Sequence, residues 1–227
     1  MKTKELENKW IEIQSLREQK GKENVTLEKI EDLAKIAEKK KDWDLLVKCY
    51  WEKSLVFQHK IIESKSLEYS NLSVVSHSVK EMLLAAENAE EIIKKHKITR
   101  HKATSLRFLG RAYSYADNYT KAKEAYEKAI KLIQKKENKE QLLELNGFLA
   151  DTLLRLRKLQ EGYGLALSTY LDFERKEYGK KLKEKDYYVW AVWRSGIVIR
   201  TINTSLEVNE NFDKTTWINM LNEVERT

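Results

Sequence analysis

The sequence predicts an all-helical protein, and three observations carry the prediction. Apolar residues recur at three- and four-residue intervals almost throughout, and no stretch sustains an alternation of period two. Proline is absent, glycine occurs seven times and 35% of residues are charged, so good helix formers dominate and strand-bounding turn clusters are few. Short polar breaks separate the periodic segments: GKEN at 21–24, KKD at 40–42, DN at 117–118 and NENFD at 209–213. Linkers of that length join antiparallel neighbours, so successive helices are expected to form hairpins.

In chain order the periodicity predicts helices over 3–19, 26–40, 43–64, 66–77, 80–96, 101–116, 119–135, 139–156, 159–178, 185–207 and 214–225. The first sets Leu6, Trp10, Ile13 and Leu16 on one face. The break at 76–81 is the weakest of the series, and one helix over 66–96 is the alternative. In the run 187–202, Tyr188, Trp190, Trp193, Ile197 and Val198 spread around the helix rather than along one stripe, so it must be covered on several sides. Helix 214–225 can cover one side with Trp217, Met220 and Leu221, and burial within the chain is the expectation; an uncovered remainder would instead mark an interface for a partner or a second copy.

The stretch LRFLGRAYSYADNYTKAKEAYEKAIKL at 106–132 says how the helices pack. Helix axes approach closely only where side chains are small, and bulky residues fill the gaps between. Gly110, Ala122 and Ala129 are the close-approach points, and Leu109, Tyr113, Tyr119 and Tyr126 the fillers. Gly110 would weaken an isolated helix by about 1 kcal/mol relative to alanine, a cost that tight packing offsets. The spacing Leu106-x2-Leu109-Gly110-x2-Tyr113, followed by Ala122-x3-Tyr126-x2-Ala129, resembles the tetratricopeptide repeat (TPR), a helix pair of about 34 residues. Leu106 stands at the usual tryptophan place and Gln134 at the terminal proline place.

The same frame fits Leu33-Ala34, Ala37, Trp43, Leu46 and Tyr50; Leu72-Ser73, Ser76, Met82, Ala85, Ala89 and Ile92; and Leu149-Ala150, Leu153, Leu159, Gly162, Ala166 and Thr169. The anchors at 33, 72, 109 and 149 are 39, 37 and 40 residues apart. The resemblance therefore implies a right-handed superhelical array, a TPR-like α-solenoid. It divides into an N-terminal capping helix in 1–25, four helix pairs (26–64, 66–96, 101–135 and 139–178), and C-terminal capping helices or a degenerate fifth repeat in 185–227.

It implies, too, a concave groove lined by the first helix of each pair. Carried over position by position, the groove receives Glu28, Glu31, Asp32 and Lys35 from the first unit and Leu67, Ser70, Asn71, Val74 and His77 from the second. Thr104, Arg107, Phe108, Arg111, Ser114 and Tyr115 come from the third, and Glu144, Phe148, Asp151 and Arg155 from the fourth. Arg107 and Arg111 lie one helical turn apart, so both guanidinium forks can address one carboxylate or phosphate. Phe108 and Phe148 would floor the site; pairing of the arginines with Asp151 and Glu144 is the structural alternative. The carboxylate clamp of some family members is matched only at Asn71, since Glu31, Thr104 and Phe108 stand where it needs basic or amide groups.

No catalytic pattern is present: no Gly-rich phosphate loop, no G-x-S-x-G, no HExxH and no Cys/His ligand spacing. His59, His77, His96 and His101 do not share one helix face, though His96 and His101 flank one junction. No enzyme activity, cofactor or metal is expected. Cys49 sits among apolar residues with no second cysteine and is expected to be a buried thiol. The N-terminus MKTKELENKWIEIQ lacks a signal-peptide core, and the apolar run 187–199 is too short to span a bilayer and contains Arg194, so a cytoplasmic protein is expected. The function implied is an adaptor or scaffold holding a peptide or protein segment, with acidic or C-terminal segments favoured. The net charge of +7, with Lys97, Arg100, His101 and Lys102 and the run KEYGKKLKEK at 176–185, keeps RNA or DNA binding as the alternative, beside a structural subunit self-associating through its C-terminal helices.

Overall fold

Eleven α-helices and one 3-10 turn follow one another along the described residues, with no strand among them. The structure is a computed structural model that describes residues 3–66, 71–135, 139–209 and 211–225. Two compact units divide the chain, Met1–Ala116 and Asp117–Thr227. Unit 1 holds α1 (Thr3–Arg17), α2 (Glu23–Lys40), α3 (Trp43–Ser66), α4 (Leu72–Lys95), the 3-10 turn Thr99–His101 and α5 (Lys102–Tyr115). Unit 2 holds α6 (Tyr119–Ile133), α7 (Gln141–Arg155), α8 (Leu159–Arg175), α9 (Glu177–Lys185), α10 (Tyr187–Val208) and α11 (Thr215–Glu225).

Within each unit successive helices pack on one another, as the short linkers predict. In unit 1, α5 meets α3 as well as α4; in unit 2, α10 meets α7 and α8 as well as its neighbours α9 and α11. Short polar side chains start several helices. The oxygens of Asp42, Asn71, Asn118 and Asp186 accept from the backbone N–H of Leu45, Val74, Lys121 and Val189, each satisfying a donor that the first turn leaves without a partner.

Three turns recur in the predicted frame. Lys41, Asp117 and Arg157 each stand eight residues after an anchor (33, 109 and 149) and adopt left-handed backbone, at φ 56, 55 and 60°. The next helices start at Trp43, Tyr119 and Leu159, ten residues after the same anchors. A non-glycine residue in that conformation costs about 1–2 kcal/mol, and the turn offsets the cost with backbone bonds. Asp42 N–H donates to Ala37 O at 2.9 Å and Lys158 N–H to Leu153 O at 2.9 Å, closing the helix ends.

The second anchor departs from this. Where the frame places a helix pair, 66–77 and 80–96, a single 24-residue helix α4 runs from Leu72 to Lys95, with position 80 inside it, so across the break the one-helix alternative holds. No glycine or proline interrupts the segment, and Ser78, in the middle of the supposed break, is fully buried, so nothing opens the backbone there. α4 packs along α3, itself 24 residues long. A second departure is α9, a nine-residue helix between the predicted 159–178 and 185–207. A Cβ on Gly179 would lie 2.5 Å from Asp172 O and 2.6 Å from Phe173 O, so glycine is what lets α9 settle against the end of α8.

The core of unit 1 is a series of small clusters. Ile13 of α1 joins Ile30, Leu33, Cys49 and Val56, with Leu6 and Trp10 against them, as the one-faced pattern predicts. Arg17, at the end of α1, reaches Glu52 of α3 at 2.5 Å. Cys49 is buried, and burial pushes its thiol up to about 12. Unit 2 has one larger core in which Tyr170, Phe173, Trp190, Ile197 and Trp217 meet. The small residues that the frame places in the second helices of unit 2 are buried there: Ala122, Ala129 and Ala166 fully, and Thr169 to 1% exposure. Among the described residues no helix is long and apolar enough to cross a membrane.

Candidate functional site

The arginines predicted to act together do meet one ring. On α5, the guanidinium carbons of Arg107 and Arg111 lie 5.0 and 5.8 Å from the centroid of Phe108, within cation–π range. They flank Phe108 in sequence at i−1 and i+3, a spacing that keeps all three on one side of the helix. Phe108 is itself buried, stacked on Trp51 of α3 with ring centroids 5.4 Å apart and planes 5° from parallel. From α3, Gln58 accepts a hydrogen bond from Arg111 Nη1 at 3.1 Å. The α3–α5 face thus carries two half-buried guanidinium groups on an aromatic base, with an amide beside them. Sequence spacing does not nominate Trp51 and Gln58 as site residues, because the frame assigns α3 to a second-helix role.

The other predicted groove residues of unit 1 have separate fates. Glu28, Glu31, Asp32 and Lys35 are exposed on α2, where Asp32 pairs with Lys35 at 3.4 Å and Glu31 with Lys53 of α3 at 3.6 Å. Leu67 and Ser70 lie outside the described residues. Asn71 is the N-cap of α4, its side-chain oxygen accepting from Val74 N–H and Ser73 Oγ, so its amide oxygen has a structural role. His77 is exposed and edge-on to Phe57 at 6.3 Å. Thr104, Ser114 and Tyr115 are half-buried on α5, Ser114 Oγ donating to Gly110 O at 3.1 Å and Tyr115 packing against the cluster of Phe57 and Met82.

In unit 2 the corresponding face of α7 is held by α10. Arg200 sits over the Phe148 ring at 4.6 Å, and Phe148 stacks on Tyr126 at 5.8 Å. Thr204 Oγ1 donates a hydrogen bond to Asp151. Arg155 pairs with Glu207 at 3.0 Å, with Asp151 at 3.4 Å, and meets Tyr119 OH at 3.5 Å. Burial is the main cause that lifts the Tyr119 phenol to about 12. At Gly147 a Cβ would come 2.8 Å from Ile197 Cγ1, so the missing side chain admits α10. Phe148, Asp151 and Arg155, predicted for the groove, therefore bind a helix of the same unit, and Glu144 is buried.

Trp190, Trp193 and Trp217, for which burial is the expectation and an interface the alternative, lie in or against the core. Trp190 is fully buried, Trp217 is 7% exposed and Trp193 packs partly buried against the same cluster. Arg194, in the middle of the apolar run, is buried over the rings of Tyr170 at 4.4 Å and Trp190 at 5.1 Å and bonds Glu223 of α11 at 3.0 Å. The apolar side chains left exposed on α10 are others: Tyr187, Tyr188, Val192, Ile199 and Leu206. The basic run 176–185 is laced with acids, Lys181 pairing with Glu177 at 2.8 Å and Lys185 with Glu140 at 3.3 Å.

No protein-family model matches the chain, and neither the curated proteins nor the solved structures contain a match to it.

Proposed function

We propose that this chain is an interaction module built from TPR-like helix pairs, and that it holds an acidic peptide or protein segment against the α3–α5 face of unit 1. The observation that carries the proposal is the pair of guanidinium groups, Arg107 and Arg111, set over the single ring of Phe108. Guanidinium forks bind carboxylates in a bidentate manner, and a rigid aromatic base lowers the ordering cost of the side chains. The recurrence of one turn geometry at Lys41, Asp117 and Arg157 supports the repeat reading. Gln58 of α3 stands beside Arg111 and adds a neutral donor and acceptor to the same face.

The test is a selection of displayed peptides on the full chain, followed by titration of the best binder. Enrichment of Asp and Glu, with affinity falling about tenfold or more in Arg107→Ala/Arg111→Ala, is the expected result. Binders without acidic residues, or affinity unchanged in the double variant, would refute it.

A further inference from the structure

At one end of unit 1 the turn between α2 and α3 and the turn between α4 and α5 come together around an open cleft of about 380 Å³. That size lies within the range of about 300–1,000 Å³ common for small-ligand sites. We infer that this cleft binds a nucleoside phosphate, with the base on an aromatic shelf and the phosphate between two lysines.

The shelf is Trp43, the first residue of α3, stacked on His96 at the end of α4, with ring centroids 4.0 Å apart and planes 13° from parallel. Both rings are partly exposed, and both line the cleft. A stacked pair of rings presents a flat π face, which takes any base without reading its sequence.

The cations are Lys41 and Lys97, which line the same cleft from the two turns. Of the acids nearby, Asp42 caps α3 by accepting from Leu45 N–H at 3.1 Å, and Asp44 pairs with Arg100 and lies 3.0 Å from His101 Nε2. Among the described residues, neither Lys41 nor Lys97 has an ion-pair partner. With Asp44 balanced by Arg100, the two ammonium groups outnumber the one remaining carboxylate, Asp42, and leave the cleft with net positive charge that an anion can balance. The flanking sequence adds Lys39 in the last turn of α2 and Lys95 in the last turn of α4. Phosphate, with more charge and more acceptor oxygens than a carboxylate, suits point-charge ammonium groups. The planar shelf makes a base-bearing phosphate a better fit than phosphate alone.

A free nucleotide and the end of a single strand offer the same chemistry, and one set of titrations separates them. Calorimetric titration of the full chain would use AMP, adenosine, ribose 5-phosphate and a single-stranded oligoadenylate of about ten nucleotides, within the site sizes of single-strand binders, at low and moderate salt. The proteins would be the wild type and Lys41→Asn/Lys97→Asn. Asparagine tolerates left-handed backbone, so this variant removes the charges without straining turns at φ 56 and 54°. AMP should bind more tightly than adenosine or ribose 5-phosphate, and the Kd should rise about tenfold in the variant. An oligoadenylate that binds more tightly than AMP, and is displaced by it, assigns the cleft to strands; equal or weaker binding assigns it to free nucleotides. Failure of both AMP and the oligoadenylate to bind, ribose 5-phosphate binding as tightly as AMP, or identical affinity in the variant would each overturn the inference.

Discussion

Units 1 and 2 each place a phenylalanine ring beneath a guanidinium at the same point of the repeat frame, one residue before the anchors 109 and 149. In unit 1 the cations over Phe108 come from its own helix, Arg107 and Arg111. In unit 2 those two positions are Gly147 and Asp151, and the cation over Phe148 is Arg200 of α10. Gly147 clears the way for Ile197, and Asp151 receives Thr204, so what is missing on α7 is supplied by another helix. One helix position thus has two arrangements: on α5 the ring meets cations of its own helix, and on α7 it seats another helix of the same unit.

If α10 is a structural part of unit 2, the largest effect should come from its anchor. Trp190→Ala removes a fully buried ring and should cost about 3–5 kcal/mol, read from urea unfolding. Gly147→Arg, which writes the unit 1 residue into unit 2, should cost about 1–3 kcal/mol by the same measurement, because even its Cβ meets Ile197 at 2.8 Å. Arg200→Ala should lose about 1 kcal/mol from the cation–π contact with Phe148. The smallest effect appears only in alkali. Burial, the leading cause in each case, raises the phenols of Tyr119, Tyr170 and Tyr178 in unit 2 to about 12. An acid whose folded pKa is raised stays neutral longer in the folded state. Its contribution to stability is fully present below the unfolded value, here about 10, and is lost as pH climbs through about 12. Tyrosinate absorbance followed together with circular dichroism should show these phenols ionising late, as helicity falls.

Much of this fold is legible in local pattern. The three- and four-residue periodicity marks nearly every helix, and Asp42, Asn71, Asn118 and Asp186 mark helix starts because a short oxygen-bearing side chain caps a first turn wherever it occurs. The frame anchored at 33, 109 and 149 also locates turns at Lys41, Asp117 and Arg157. At anchor 72 it misleads, because the spacing of small residues is satisfied equally by one long helix lying along α3. The site is legible only where its parts are close in sequence. Arg107, Phe108 and Arg111 share one side of a helix, whereas Gln58, Trp51 and Arg200 arrive from about 50 residues away through packing that no local spacing encodes. The tryptophans of α10 and α11 leave two readings open for a related reason, since an apolar helix does not say whether its cover comes from within the chain; here it does.

The most direct test sets the two faces against each other: titration of one selected acidic peptide against wild type, Arg107→Ala/Arg111→Ala and Arg200→Ala, each accompanied by its unfolding curve. The unit 1 double variant should lose at least about tenfold in affinity, while Arg200→Ala should bind as the wild type does and unfold earlier. Wild-type affinity in Arg107→Ala/Arg111→Ala would contradict the assignment of the α3–α5 face as the ligand site.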